Sequence, residues 1–150
     1  MRYLYVIIIG SIFLFLTCGN KNKVGDGTDI RKCTSPEDTC VIETIISGDT
    51  LHTNSLEIKK GGKFRIINHS ANLLFYLIEN PDTLLAKGHK YDTVVLNGIK
   101  YVYIAVSGNG GKSDKLEISA DAPDGVYIIH LNGFCPPWVL FASPQIIVRN

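Results

Sequence analysis

From about residue 40 onward, short runs of β-branched and aromatic residues recur about every ten positions, each closed by turn-forming residues. This rhythm restricts the fold more than any other feature of the chain. Val41–Ile46 ends at Ser47-Gly48-Asp49, Leu56–Ile58 at Gly61-Gly62, and Phe64–Ile67 at Asn68-His69-Ser70. Leu73–Ile78 is closed by Asn80-Pro81-Asp82. Tyr91–Leu96 ends at Asn97-Gly98, a hairpin signal because both residues tolerate positive φ. Ile99–Ser107 follows as the return strand, with Tyr101, Tyr103 and Ala105 on one face and Val102, Ile104 and Val106 on the other. Gly108-Asn109-Gly110-Gly111 reads as a loose loop, and Leu116–Ile118, Val126–Leu131 and Ile146–Val148 complete about nine strands. Helical periodicity is not apparent. Short strands at this spacing predict an all-β sandwich or barrel.

Asp121-Ala122-Pro123-Asp124-Gly125-Val126-Tyr127 supports that expectation. An acidic, glycine-bearing corner followed by Tyr resembles the tyrosine corner of Greek-key sandwiches, where the phenol hydroxyl returns to a nearby backbone group. Residues 33–150 are one domain's length of chain, and a single core at that size buries about two thirds of the unfolded surface.

The N-terminus has a different character. Arg2 precedes an apolar run from Tyr3 to Leu16, which breaks at Cys18 into Gly19-Asn20-Lys21-Asn22-Lys23. The run fits a secretory h-region and falls short of the ~20 residues that span a bilayer. A cysteine at such a break resembles the bacterial lipoprotein signal, in which cleavage precedes a lipid-modified cysteine. Phe15 and Thr17 depart from the commonest residues at their positions. The resemblance implies a signal peptide over 1–17, an acyl (palmitate-type) anchor on Cys18, and attachment to the cell envelope. Gly19, rather than Asp, after that cysteine implies outer-membrane sorting in a Gram-negative host. Residues 18–32 are rich in Gly, Asn, Lys and Asp and read as a polar tether.

The whole chain carries fifteen basic and fourteen acidic residues, and loss of Arg2 with the signal peptide leaves fourteen of each. A neutral chain with mixed charges provides no basic field for phosphate backbones, so nucleic acid is not an expected partner. Three cysteines remain beside Cys18. Cys33 and Cys40 bracket a turn-rich Thr-Ser-Pro-Glu-Asp-Thr segment, and we assign the disulfide to them. Pairing of Cys135 with either one is the open alternative.

Leu56–Asn68 and Tyr127–Asn150 together resemble the cupredoxins. Lys60-Gly61-Gly62, the strand ending at Asn68, the Pro123–Tyr127 corner, Cys135-Pro136-Pro137 and the last strand carry the resemblance. It implies a cupredoxin-like Greek-key β-sandwich. It also implies a ligand set that this chain lacks. A blue-copper site takes a thiolate, two imidazoles and a long axial thioether. Cys135 and His69 fit two of these places, but Trp138 stands where the second imidazole is expected, and no histidine follows Cys135. No metal or other cofactor is therefore favoured; copper held by His69, His130 and Cys135 in a non-standard site is the alternative.

Enzyme signatures are missing. The sequence has no Gly-x-Ser-x-Gly elbow, no His-Glu-x-x-His and no phosphate loop leading into a helix. The expectation is a non-enzymatic binding or structural domain with a protein partner. Phe134, Trp138 and Phe141, among Pro136, Pro137 and Pro144, are the candidate contact residues, since prolines stiffen a loop and large aromatics give contact area.

Overall fold

Strands whose side chains alternate between apolar and polar bury one face each, and here they do so as two facing sheets. The computed structural model describes residues 29–35, 37–47, 50–88, 91–133, 140–141 and 143–150. One sheet has seven strands in the order β1 (Ile30–Lys32), β4 (Ser55–Lys59), β13 (Gln145–Arg149), β11 (Gly125–Gly133), β6 (Leu74–Glu79), β8 (Ile99–Val106) and β7 (Thr93–Leu96). The other runs β10 (Leu116–Glu117), β5 (Lys63–Asn68), β2 (Thr39–Ser47), β3 (Thr50–Thr53) and β12 (Leu140–Phe141), with β9 (Gly111–Lys112) also paired to β5. The chain crosses from β4 to β5 and back to β6, and again through β10, β11, β12 and β13. Those crossings let β4 pair with β13, and β2 with β5, in parallel. The fold is the expected all-β sandwich.

Inward residues of the two sheets make one core. Ile42, Phe64 and Ile66 from the second sheet meet Leu56, Tyr76, Ile78, Ile129, Ile146 and Val148 from the first, all fully buried. Two polar groups also reach across this core. The buried Tyr76 hydroxyl donates to Thr44 Oγ1 at 2.8 Å. Asn68, at the end of β5, donates through Nδ2 to the carbonyls of Val106 (3.0 Å) and Asn72 (2.7 Å). Its Oδ1 accepts from the Ser70 backbone N–H (3.0 Å) and hydroxyl (2.6 Å). One buried amide therefore saturates four bonds, folds the turn after β5 and ties that turn to β8 of the opposite sheet.

Several local expectations are met. Asn97 and Gly98 have φ of 51° and 79° and close the β7–β8 hairpin. Tyr127 Oη donates to the Pro123 carbonyl at 2.8 Å, forming the tyrosine corner. The Cys33–Cys40 disulfide is present; Cys33 follows β1 of the first sheet and Cys40 lies in β2 of the second, so the bond joins the sheets at one edge.

Other expectations need correction. The described residues hold thirteen strands rather than about nine. The additional β1, β3, β9 and β12 have two to four residues each, too short for an alternation to show. Ile30–Lys32, at the end of the expected tether, forms β1 and pairs in parallel with Ser55–Glu57 of β4. Backbone pairing, rather than burial, orders this segment, because all three residues are exposed. Pro81–Leu84 forms a single helical turn, α1, where only a turn was expected. Asn80 precedes it at φ 47°, and buried Pro81 and Leu84 seat it against the core.

Candidate functional site

A sandwich buries one face of each sheet, and its outer faces are ordinarily polar. The outer face of the seven-stranded sheet divides into two halves. Over β1, β4 and β13 it carries Lys32, Glu57, Lys59 and Arg149, with Lys32 Nζ 3.9 Å from Glu57 Oε1. Over β11, β6, β8 and β7 it is apolar. Strand β6 presents Phe75 and Leu77, and β8 presents Ile99, Tyr101, Tyr103 and Ala105. Val94 and Leu96 of β7, and Val126 and Ile128 of β11, flank them. Leu77 stands opposite Tyr103 on one side and His130 on the other, and these neighbours reduce it to 7 % exposure although it faces outward. The Phe75 and Tyr103 rings lie 5.7 Å apart, tilted by 36°. An exposed apolar surface on a sheet is a candidate contact site.

Glu79 and His130 face outward near the middle of this half and are bonded to each other, while the exposed Asp92, whose carbonyl accepts from the Tyr103 N–H, lies at its β7 edge. His130 Nε2 lies 2.9 Å from Glu79 Oε1. A carboxylate only accepts, so Nε2 carries the proton. The Tyr101 hydroxyl donates to the same oxygen at 3.2 Å, from directly opposite Glu79 in the β6–β8 register. The Tyr101 and His130 rings meet edge-on, with centroids 6.0 Å apart. Burial, and then the Glu79 charge, push the Tyr101 phenol above its ordinary value.

A second cluster lies elsewhere. Arg31 of β1 pairs with Glu43 of β2 at 2.6 Å, and His69 Nε2 lies 3.3 Å from the other Glu43 oxygen. The Arg31 hydrogen bond, reinforced by His69, holds the Glu43 carboxyl below its ordinary value. A cavity of about 350 Å³ opens between β8 and the Lys112–Leu116 segment. Its Ser113 hydroxyl is committed to structure, accepting from the Ile66 N–H and donating to the Asp114 carbonyl.

The sequence-predicted residues are dispersed. His69 belongs with Glu43, beside the second sheet, and His130 with Glu79 on the outer face of the first, so the structure does not bring the two together. Among the described residues no group of three or more His, Cys, Asp or Glu side chains is placed to hold a metal ion. Cys18, Cys135, Phe134 and Trp138 lie outside the described residues, and of Phe141 only the backbone, paired with Leu51, is described. The apolar half was not anticipated as a site. Its signal was present in Leu73–Ile78 and in Tyr101–Val106, which are apolar on both faces where a half-buried strand needs only one.

No protein-family profile and no curated protein sequence matches the chain. Among solved structures it is similar to the seventh ScaB type I cohesin from Pseudobacteroides cellulosolvens, at 13 % identity and a TM-score of 0.37, over 73 % of this chain and 91 % of that one. It is also similar to reduced rusticyanin, at 12 % identity and a TM-score of 0.37, over 83 % and 87 % of the two chains. At such scores neither likeness assigns a family or a function. The sandwich rests on the strand pairing itself.

Proposed function

We propose that this chain is a lipid-anchored, non-enzymatic binding module of the bacterial cell envelope. Cys18 carries the anchor, and the apolar half of the outer sheet face is the contact surface for a protein partner. The observation that supports binding most directly is that apolar half, whose central polar groups, Glu79, His130 and Tyr101, are hydrogen-bonded to one another. A surface whose central polar groups are already hydrogen-bonded loses less on contact and gains from every apolar group it covers. Support for anchoring comes from the sequence: the apolar run ending at Cys18 and the polar stretch after it.

Two measurements test the two halves of the proposal. Cys18→Ser is expected to abolish incorporation of labelled palmitate and to release the protein from membranes; retention of both refutes anchoring. Tyr103→Glu, at an outward position 38 % exposed, is expected to abolish partner binding while leaving unfolding stability within about 1 kcal/mol. Undiminished binding refutes the contact surface.

A further inference from the structure

We infer that the occupant of the apolar half is a second copy of this chain, the two copies packing these sheet faces together about a two-fold axis. This rests on the reading of that half as a contact surface and names its partner. Three properties of the face carry the inference: area, charge and shape.

Tyr103, Ile99, Ile128 and Val126 are 38 %, 39 %, 44 % and 55 % exposed. With their half-buried neighbours they present roughly 500–600 Å² of apolar surface, at the upper end of what monomers carry. Two such faces in contact remove roughly 1,000–1,200 Å² from water, which reaches the size at which specific interfaces begin.

The charge pattern accommodates a like surface. A face bearing unpaired charges calls for a partner of opposite sign. Here Glu79 is bonded within its own copy to His130 and Tyr101, and the exposed Asp92 lies at the β7 edge, so the centre of the face calls for no oppositely charged partner. The charged half over β1, β4 and β13 then forms one rim of the contact, as a polar rim surrounds an apolar centre in stable interfaces.

Shape agrees. Twisted sheets pack face to face when their twists match, with strands about 30° from alignment. A second copy has the same twist. Anchoring on one membrane would further raise the local concentration of copies.

The test uses the full chain, expressed in a Gram-negative host and left in its membranes. A photo-crosslinking amino acid replaces Ile128 or, as control, Lys59 on the charged half. The expected result is an adduct of twice the chain's mass from position 128, with at least tenfold less from position 59. Val126→Lys should lower the 128 adduct at least tenfold; if that variant fails to fold, the comparison of positions 128 and 59 still decides. An adduct between position 128 and a different protein overturns self-association but leaves the contact surface standing. No adduct at position 128 overturns both. Equal dimer yields from the two positions indicate crowding and overturn the inference.

Discussion

The Tyr76–Thr44 hydrogen bond offers a quantitative test of how the two sheets are held in register. Both residues are 0 % exposed and their oxygens are 2.8 Å apart, so neither hydroxyl has access to solvent. Tyr76→Phe leaves Thr44 Oγ1 buried without this donor, at an expected cost of about 1–3 kcal/mol. Thr44→Val, nearly isosteric, leaves the Tyr76 hydroxyl without its acceptor, at a similar cost. The double variant removes both polar groups together and should lie within about 1 kcal/mol of the parent, giving a coupling energy of about 1–3 kcal/mol. Urea unfolding followed by far-UV circular dichroism measures each term as a midpoint shift at constant slope. A second arm uses pH. Burial pushes the Tyr76 phenol up from 10.0 to about 12, against a smaller downward pull from the Thr44 hydrogen bond. A folded-state value above the unfolded one means that the unfolded chain ionises first. Stability from this residue is therefore full below about pH 10 and declines as pH rises towards about 12. Tyr76→Phe should remove that part of the alkaline decline. Single-variant costs that simply add in the double variant, to within ~0.5 kcal/mol, would refute the reasoning, because the two groups would then not depend on one another.

Asn68→Asp should destabilise more than Asn68→Ala, since it turns a carboxylate towards the Val106 and Asn72 carbonyls that the amide now satisfies; equal urea midpoints for the two variants would count against the assigned amide orientation. Reduction of Cys33–Cys40, or its replacement by serines, should cost about 2 kcal/mol, as expected for a loop with a sequence separation of 7, and should be visible as a lower thermal midpoint. Glu43→Gln should flatten the acid side of the stability profile. The Glu43 carboxyl is held below its ordinary value, so its contribution is present above the unfolded-state value and lost as pH falls through the folded-state one; exposure of the Arg31–Glu43 pair keeps the effect below about 1 kcal/mol. Gly108→Ala should destabilise, because a Cβ there would lie 2.5 Å from the Ser70 carbonyl oxygen; an unchanged midpoint would show that the turn yields.

The sequence by itself determined the local part of this protein. Nine strand runs bounded by turn residues, the Asn97-Gly98 hairpin, the corner at Tyr127 and the Cys33–Cys40 bond were legible because each depends on residues close together in the chain. Strands β1, β3, β9 and β12 were not, because with so few residues each is held by its neighbour in the sheet rather than by its own pattern. The histidines show the same division. His69 and His130 are both available in the sequence as ligands, but β5 and β11 belong to different sheets and lead the two rings to different carboxylates. Only the tertiary structure placed β11, β6, β8 and β7 side by side, so that outward residues spread over some fifty positions of sequence became one surface with His130 bonded to Glu79 in it. Alternation tells which residues share a face of one strand. Which strands share a sheet is decided by long-range pairing and by the core, and a contact surface exists only at that level.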